Sequence, residues 1–342
     1  MPVPLRLPRS RRSVAATALA AAVLSGGVLL SAAGPSTAAE VPRRDYVNVY
    51  TNNVENLKTI DADSCPGDWQ DLIFAMKRSD PAPDIFLVQQ ISNRAELTLL
   101  VSTMEAKLNR KFTGRIADPE PPIQPARCDG EKRQQTTAII FDTDRFNVLQ
   151  ADTWMADRDG DNGCVNTGQS RAEAIRLKLH DTLADKDLTV ASTHWPTSNS
   201  GGHPCVAENA REASEKVSGW GGDLMIWGGD ANTTAGNPGD WKAWYRQTNG
   251  DLGAAGGFRD VMYDHCGKVT APRGECLGNN WTIGGSNRID YIWAKKPNGL
   301  PATSAVHTVT FEEAGQADAY YTGSDNPANY SDHRSVRAQI YY

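Results

Sequence analysis

Residues 224–232 read LMIWGGDAN, an apolar run that passes through two glycines and ends in an acid and an amide. Apolar residues with β-branched and aromatic members fill a pleated surface well, so Leu224 to Trp227 predict a buried strand. Asp230 and Asn232 would then lie at the end of this strand, beside a loop. A strand end next to a loop is where a rigid sheet can hold polar side chains in fixed positions.

The same arrangement recurs along the chain. Several other predicted strands carry an acid, an amide or an imidazole at one end. A single residue of this kind has an ordinary explanation, since a histidine or an aspartate beside a strand often caps a turn or faces solvent. The repetition is what indicates a shared polar site. The segments are TNN (51–53), DIFLVQQ (84–90), STHW (192–195), NRID (287–290) and YSDH (330–333), and they supply Asn53, Gln90, His194, Asp290, Asp332 and His333.

The coarse pattern of the chain predicts an α/β sandwich. Nine runs rich in β-branched or aromatic residues are bounded by Gly, Asn, Asp or Pro, which is typical of strands. Residues 93–110 and 205–220 have helical periodicity. So many strands indicate two packed sheets, and the helices would cover their outer faces.

The first 39 residues are predicted to be a secretory signal peptide. They combine a basic start with four arginines, an alanine-rich apolar segment over residues 14–30, and small residues at 36–39 that suit a cleavage site. A membrane anchor is less favoured, because Ser25, Gly26 and Gly27 interrupt an apolar segment that is barely long enough to span a bilayer. We therefore expect a secreted protein, exported by the general or the twin-arginine route, whose residues 40–342 form a single domain.

The charge of the chain limits its partners. The whole sequence has 35 Lys and Arg residues, four of which lie in the predicted signal peptide, against 41 Asp and Glu residues, so the remainder carries a formal net charge of −10. Such an acidic chain argues against a broad basic surface for sequence-independent binding of polyanions. It leaves room for an anionic substrate that a divalent cation bridges to the protein.

The six cysteines are an even number in a chain expected to be exported, so disulfides are the natural interpretation. No pair has the C-x-x-C spacing that structural zinc sites use. Cys266 and Cys276 are the one pair that we predict to be bonded, because the short loop between them contains Gly and Pro and could close locally.

The polar segments, taken in order, resemble the endonuclease/exonuclease/phosphatase superfamily, of which deoxyribonuclease I is the best-known type. The resemblance runs from Val47 to the C-terminus, and its most specific parts are G-D-x-N (229–232) and S-D-H (331–333). It implies a four-layer α/β sandwich, with two packed, mostly antiparallel sheets flanked by helices. It also implies hydrolysis of phosphate esters with the help of a divalent metal ion.

For catalysis, the resemblance implies two histidines and three supporting residues. His333 would be the general base, with Asp290 accepting its other ring N–H, and His194 would stabilise phosphoryl charge or protonate the leaving oxygen. Asp230 and Asn232 would orient water or bind the phosphate.

The resemblance further implies a cation site and a phosphate contact. Asn53, Gln90 and Asp332 would hold Mg²⁺, or alternatively Mn²⁺ or Ca²⁺, through oxygen atoms. Arg171, in GQSRAEAIRL (168–177), would contact a substrate phosphate, since a guanidinium can bind two oxygens at once. A plain surface arginine is the alternative at this position.

One position departs from the family pattern. The family has a glutamate, its principal metal-binding carboxylate, at the end of the segment that here reads DIFLVQQ, so Gln90 replaces it. An amide oxygen can coordinate a hard cation but lacks the negative charge, and we expect weaker metal binding. Gln134 and Gln135 lie where nuclease members often have another glutamate. Replacement charge could come from nearby Glu55, Asp61 or Asp63.

The leading hypothesis is a secreted, metal-dependent phosphodiesterase, and among phosphodiesterases a nuclease is favoured. Its substrate would be nucleic acid, and no stable protein partner is implied. A second hypothesis is a sphingomyelinase-like or other phosphoester hydrolase acting on phospholipid head groups, which would need exposed aromatic residues at a membrane surface. A third is a catalytically weakened member that binds phosphate, supported by Gln90. Serine hydrolase, HExxH and P-loop motifs do not occur in the sequence. The candidates for membrane contact are Trp195, Trp241, Trp244 and Trp281.

Overall fold

Strands form along the apolar runs of the sequence. In Thr136–Asp142 all seven residues are buried, and seven of the eight residues of Tyr46–Asn53 are, which marks strands covered on both faces. The computed structural model describes the chain within the unit Pro42–Tyr342, so the predicted signal peptide lies outside the described residues. The described residues are 44–54, 69–78, 82–123, 134–156, 170–197, 205–315 and 330–342.

The first sheet has six strands. Its members are β1 (Tyr46–Asn53), β2 (Ile85–Ile91), β3 (Phe112–Ile116), β4 (Thr136–Asp142), β13 (Thr303–Thr308) and β14 (Val336–Tyr341). Their order across the sheet is β13–β14–β1–β2–β4–β3. β1 and β2 are parallel, and the other neighbouring pairs are antiparallel.

The second sheet also has six strands and likewise contains one parallel pair. Its members are β5 (Phe146–Met155), β6 (Glu173–Asp181), β7 (Lys186–His194), β8 (Leu224–Asp230), β11 (Arg259–Asp260) and β12 (Asp290–Lys295). Their order is β11–β12–β8–β7–β6–β5, and β7 and β8 are the parallel pair. A small separate hairpin is formed by β9 (Gly236–Asn237) and β10 (Asp240–Trp241).

The largest apolar cluster lies between the two sheets. Val49 of β1 and Leu87 of β2 belong to it together with Leu177 of β6, Val190 of β7 and Ile226 of β8, and each of these side chains is fully buried. At roughly 25 cal/mol per Å² of apolar surface removed from water, this layer is the main source of cohesion between the sheets.

Helices cover the outer faces and complete the four layers. Separate apolar clusters join the first sheet to α1, α2 and α7, and join the second sheet to α3 and α4, whereas α5 packs at the edge of the central core. Among the described helices, none is both long and apolar enough to cross a membrane. The helices are α1 (Trp69–Arg78), α2 (Arg94–Leu108), α3 (Val206–Trp220), α4 (Ala243–Thr248), α5 (Val261–Lys268), α6 (Arg273–Asn279) and α7 (Phe311–Gly315).

The predicted four-layer sandwich of mostly antiparallel sheets flanked by helices is confirmed, and all nine predicted strands are present. The pattern missed β3 and β13, which are the two outermost strands of the first sheet, and the two-residue strands β9, β10 and β11. Outermost strands bury less surface, so their sequences, FTGRI and TSAVHT, lack the continuous apolar runs that identify central strands.

A buried ion network joins the sheets at the end of β2 opposite Gln90. Arg145, whose side chain is 2% exposed, donates from Nη1 to Asp84 Oδ2 over 2.8 Å and from Nε to Asp181 Oδ1 over 3.0 Å. Asp84 precedes β2 of the first sheet, and Asp181 ends β6 of the second. The network therefore fixes the two sheets against each other away from the polar strand ends.

The predicted disulfide is confirmed. Cys266 of α5 is bonded to Cys276 of α6, with Cα atoms 5.5 Å apart. Cys205, just before α3, is also disulfide-bonded. The remaining cysteines, Cys65, Cys128 and Cys164, lie outside the described residues.

Candidate active site

The two parallel strand pairs bring polar residues to the edges of both sheets. Because β1 and β2 are parallel, Asn53 and Gln90 lie at the same edge of the first sheet. Because β7 and β8 are parallel and in register, His194 and Asp230 are direct partners at their carboxyl ends. Asp290 is the first residue of antiparallel β12 and is the register partner of Asp230 on the other side. The topology thus flanks Asp230 with an imidazole and a second carboxylate.

Asp230 is the centre of the site. Its Oδ2 accepts a hydrogen bond from Asn53 Nδ2 over 3.0 Å and lies 3.4 Å from His194 Nε2 and 3.8 Å from His333 Nε2. Its Oδ1 accepts from the backbone N–H of Asn232 over 2.7 Å. Burial alone would raise the pKa of Asp230, but the charge of His333 and the contact with His194 outweigh burial and lower it. Asp230 is therefore an anion at neutral pH.

His333 and Asp290 form a buried pair that joins the two sheets. Nδ1 of His333 and Oδ2 of Asp290 are 2.9 Å apart. The backbone N–H of His333 donates to Ser331 Oγ over 3.1 Å, and that hydroxyl donates to the Asn53 carbonyl over 2.5 Å. Burial lowers the pKa of His333, yet the charges of Asp290 and Asp230 overcome it and raise the pKa to about 10. The pair therefore rests as an imidazolium bonded to a carboxylate.

His194 has the opposite protonation state. Burial lowers its pKa more than the neighbouring Asp230 raises it, so the ring is neutral at neutral pH. The 3.4 Å contact with Asp230 is longer than an ordinary hydrogen bond, and neither ring nitrogen forms a hydrogen bond of normal geometry with another described residue. One charged and one neutral imidazole therefore face the same carboxylate.

Gln90 occupies a strained position at a β-bulge. The register between β2 and β4 shifts between Val88 and Ile91, and Gln90 has φ +57°, a left-handed conformation that few residues other than Gly adopt readily. Its Oε1 accepts a hydrogen bond from Gln135 Nε2 over 3.0 Å. Gln90 thus stands where the family pattern has a carboxylate. Its side chain is a neutral amide that is hydrogen-bonded to a second neutral amide, that of Gln135.

The two adjacent glutamines of β2, Gln89 and Gln90, make different contacts. Gln89 is fully buried and its Nε2 lies 3.2 Å from Thr51 Oγ1 and 3.0 Å from Ser192 Oγ, so it links β2 of the first sheet to β7 of the second. Its neighbour Gln90 turns away from this link because of the bulge. Farther along the chain, Gln134 accepts from Asn93 Nδ2 over 3.2 Å and donates to the carbonyl of Pro121 over 3.0 Å.

Arg171 and Asn232 are held near Asp230 by contacts at the loop after β7. Arg171 lies in a short 3₁₀ turn before β6, and its Nη2 donates to Thr197 Oγ1 over 2.6 Å. Burial lowers the pKa of Arg171, and the charge of Asp230 partly restores it. Asn232 donates from Nδ2 to the carbonyl of Trp195 over 2.7 Å. Both residues are half-buried rather than solvated at the surface.

Asp332 lies beside the second histidine at the rim of the cluster. Its Oδ1 is 3.8 Å from Nε2 of His333, and its side chain is 29% exposed. It is thus the most accessible carboxylate among the acidic residues predicted for the site.

The donor set fits a hard divalent cation. Carboxylate oxygens of Asp230 and Asp290 and a ring nitrogen of His333 lie within 4.8 Å of one another, so these residues form a possible metal-binding group. A protonated imidazole is a poor ligand, and oxygen atoms are the donors that Mg²⁺ and Ca²⁺ prefer. The cluster carries more carboxylates than imidazolium charge, which favours a cation. The further oxygen donors predicted from the sequence are Asn53, Gln90 and Asp332.

Two contributors were not found by sequence reasoning. Thr282 accepts hydrogen bonds from the backbone beside Asp290, and Thr197 contacts Arg171. Neither has a recognisable signal, since a threonine in a loop is common and its partners are distant in sequence.

Comparison with known proteins gives a match in structure but not in sequence. No family model matches the chain, and no curated protein matches it. An endonuclease/exonuclease/phosphatase from Bacteroides vulgatus is 16% identical with a TM-score of 0.56, over 87% of this chain and 99% of the other. TDP2 of D. rerio, solved with a single-strand DNA product, is 13% identical with a TM-score of 0.54, over 87% and 100% of the chains. A mannosyl-6-phosphatase from Bacteroides thetaiotaomicron is 15% identical with a TM-score of 0.51, over 86% and 100%.

These matches cover 86–87% of this chain. The protein therefore has the endonuclease/exonuclease/phosphatase fold, the deoxyribonuclease I-like sandwich that the sequence resemblance implied.

Proposed function

We propose that this protein is a secreted, divalent-metal-dependent phosphodiesterase that hydrolyses nucleic acid. The observation that carries the proposal is the buried cluster around Asp230, where an anionic carboxylate contacts a neutral His194 and faces a His333 that is bonded to Asp290. Such a cluster combines a group that can hold water with groups that can hold or release a proton. These are the requirements for attack of water on a phosphate ester.

Asp230 orients the attacking water through its anionic carboxylate. It keeps that charge because the charge of His333, the contact with His194 and the backbone N–H of Asn232 together outweigh the effect of burial. Asp290 holds the Nδ1 side of His333, which leaves Nε2 facing Asp230. With its proton on, Nε2 neutralises charge on a phosphoryl oxygen, and with its proton off it serves as the general base.

His194 and Arg171 complete the phosphate environment. The neutral ring of His194 presents an N–H to a phosphoryl oxygen or to the leaving oxygen without adding charge to the buried site. Arg171 remains a cation and supplies a guanidinium close to Asp230, where a phosphate would be. A divalent cation, when bound by Asp332, Gln90 and Asn53, would neutralise phosphate charge and lower the pKa of His333.

Nucleic acid is favoured as the substrate class. The shared fold with a TDP2 solved with single-strand DNA supports it. A phosphomonoester is the closest alternative, supported by the fold shared with a mannosyl-6-phosphatase.

The tryptophans do not favour a lipid surface. Trp195 and Trp244 are buried and pack against each other edge to face. Trp241 packs on Tyr245, and Trp281 lies beneath the guanidinium of Arg334. Two of the four candidate residues are therefore buried, and the other two are half-buried and packed on neighbouring side chains.

The weakened, phosphate-binding alternative is supported by the Gln90–Gln135 amide pair. Two neutral side chains stand where the family pattern has negative charge, so a cation is held less tightly. This alternative predicts retained phosphate binding with little turnover.

The deciding experiment is a hydrolysis assay of the secreted protein with Mg²⁺, Mn²⁺ and Ca²⁺. The substrates are duplex DNA, RNA, sphingomyelin, a phosphorylated sugar and bis(p-nitrophenyl) phosphate. Wild type is compared with His333→Ala and Gln90→Glu, and with His180→Ala as a matched control, because His180 lies on β6 and pairs with Asp187 outside the site.

We expect nucleic-acid hydrolysis that His333→Ala reduces by about 10²-fold or more and that His180→Ala leaves unchanged. Gln90→Glu should lower the metal concentration needed. If neither the wild type nor Gln90→Glu hydrolyses any of these substrates, the phosphate-binding alternative would be favoured. Activity on sphingomyelin or the phosphorylated sugar alone would reassign the substrate.

A further inference from the structure

We propose that Thr282 is a positioning residue for the His333–Asp290 pair, holding the two chain segments that carry these residues at a fixed separation. The inference rests on the proposed function only for its kinetic consequence. The geometry behind it is independent of any substrate.

Thr282 bonds to the segment that carries Asp290 through its side chain. It is fully buried, and its Oγ1 accepts hydrogen bonds from the backbone N–H groups of Ile289 over 3.0 Å and Asp290 over 3.2 Å. These donors stand immediately before and at the first residue of β12. A methyl group in place of the hydroxyl would leave both N–H groups buried without this acceptor, which is costly inside a protein.

Thr282 bonds to the segment that carries His333 through its backbone. Its carbonyl accepts from the N–H of Arg334 over 2.7 Å, and the next residue, Ile283, forms an antiparallel bridge with His333. One residue therefore holds both sides of the 2.9 Å contact between Nδ1 of His333 and Oδ2 of Asp290. These two residues are 43 positions apart in the chain.

A second contact joins the segment that carries Thr282 to the segment that carries His333. The guanidinium of Arg334 lies 3.5 Å from the centroid of the Trp281 ring, a favourable cation–π arrangement. Trp281 and Arg334 directly neighbour Thr282 and His333. The stacked pair thus reinforces the placement that the Thr282 hydrogen bonds set.

The contacts of Thr282 differ from those of another buried threonine, Thr248, which lies in a helix. The hydroxyl of Thr248 donates to the carbonyl of Trp244 four residues earlier within α4, so it stabilises one helix rather than joining two distant segments. Loss of either hydroxyl should cost stability. Only loss of the Thr282 hydroxyl should change the geometry of the catalytic pair.

The test compares Thr282→Val, Thr282→Ser and Thr248→Val in steady-state kinetics on the best substrate of the wild type. We expect Thr282→Val to lower kcat by about 10²-fold with KM within a few-fold of wild type, since a misplacement of about 1 Å in a catalytic group can have this effect. Thr282→Ser should recover most of kcat, and Thr248→Val should keep it. Equal kcat in the two valine variants, or no recovery by serine, would overturn the proposal.

A measurement that needs no activity separates this proposal from the proposed function. The imidazole Nδ1–H proton of His333, hydrogen-bonded to Asp290, should give a downfield proton resonance in wild type, identified by its absence in His333→Ala. Thr282→Ser should retain the resonance, whereas Thr282→Val should shift or broaden it. An identical resonance in Thr282→Val would contradict the positioning role even if no hydrolysis is found.

If Thr282→Val does not fold, Trp281→Leu serves in its place. It removes the stacking on Arg334 without touching the hydroxyl. We expect the same resonance to broaden and kcat to fall with KM little changed. An unaltered resonance and unaltered kcat would reject the idea that these segments position the pair.

Discussion

Single residues decide the charge of the candidate site. Asp230 is a buried anion between a neutral His194 and a charged His333, and each state follows from burial set against the nearest charges. Gln90 stands at the same edge of the first sheet but brings no charge. We expect a neutral residue there to weaken cation binding without altering the hydrogen-bonded cluster around Asp230.

Gln90→Glu should tighten the binding of Mn²⁺ measured by calorimetry on the substrate-free protein. We expect about 10-fold or more, because an added unit charge about 4 Å from a divalent ion is worth about 8 kcal/mol at an effective dielectric constant near 20 before desolvation. Gln134→Glu is the matched control, since the side chain of Gln134 bonds to Asn93 and to the carbonyl of Pro121. Equal affinity in wild type and Gln90→Glu would exclude this position from the cation site.

His194 and His333 should make the free energy of unfolding depend on pH in opposite ways. His194 should give a loss of stability at acid pH, the acid limb, and His333 a loss at alkaline pH, the alkaline limb. The pKa of His194 is lowered on folding, so its contribution is present above about 6.5 and is lost as the pH falls. The pKa of His333 is raised to about 10, so its contribution is present below about 6.5 and is lost as the pH rises towards 10.

Urea unfolding of the metal-free protein between pH 5 and 10 measures both limbs. His194→Asn should flatten the acid limb and His333→Asn the alkaline limb. A wild-type alkaline limb that His333→Asn leaves unchanged would show that Asp290 and Asp230 do not hold a proton on this ring.

At the scale of elements, the site is made by strand ends. Parallel pairing of β1 with β2 and of β7 with β8 sets Asn53 beside Gln89, the residue before Gln90, and His194 beside Asp230. The close approach of β7 and β8 depends on a glycine. Gly229 has φ +146°, and a Cβ there would lie 1.8 Å from the carbonyl oxygen of Thr193.

Gly229→Ala should therefore destabilise the protein by about 3 kcal/mol or more, because backbone atoms would have to move in a closely packed strand pair. Gly219→Ala is the matched control. Gly219 lies in α3, and a Cβ added there would meet nothing within 4 Å, so alanine should stabilise by about 0.5–1 kcal/mol. Chemical denaturation measures both, and a tolerated Gly229→Ala would show that the two strands can separate.

Sequence patterns predicted elements better than they predicted local geometry. Central strands were identified because burial on both faces requires continuous apolar runs, as in β4 and β8. The bulge that turns Gln90 was not predicted, because a left-handed glutamine has no sequence signal. The role of Gln89 was also unforeseen, since its partner Ser192 lies 103 residues away on the other sheet.

The sequence predicted which residues form the candidate site, but not their protonation states or the residues that position them. Position at strand ends brought Asn53, His194, Asp230, Asp290 and His333 together, as expected from the resemblance. Their protonation states could not be predicted, because these depend on distances between side chains on different sheets. Thr282 was missed for the same reason.

At the scale of the whole molecule, the two sheets are fixed at both ends by polar contacts. Asn53 and Asp230 meet across the sheets at the site, and Arg145 links Asp84 to Asp181 at the other end of β2. Between these contacts lies the apolar core. The site is therefore part of the interface between the sheets, and a change at the far end should not alter it directly.

Arg145→Met should lower stability by about 3–5 kcal/mol, because Asp181 would remain buried without its arginine and Asp84 would keep only the partly exposed Arg44 and Arg110. The kcat of the folded fraction should stay within a few-fold of wild type at low temperature. Thermal unfolding and kinetics together measure this. A large loss of kcat without loss of stability would contradict the separation of the two ends.

The most direct test of the proposed active site is the turnover of bis(p-nitrophenyl) phosphate by Asp230→Asn with Mg²⁺ or Mn²⁺ present. Asparagine keeps the shape of the residue at the centre of the cluster but removes its charge. We expect kcat/KM to fall by about 10²- to 10⁴-fold, the range for loss of a group that handles a proton or orients water. An Asp230→Asn protein that is folded and as active as wild type would contradict the assignment of this cluster as the active site.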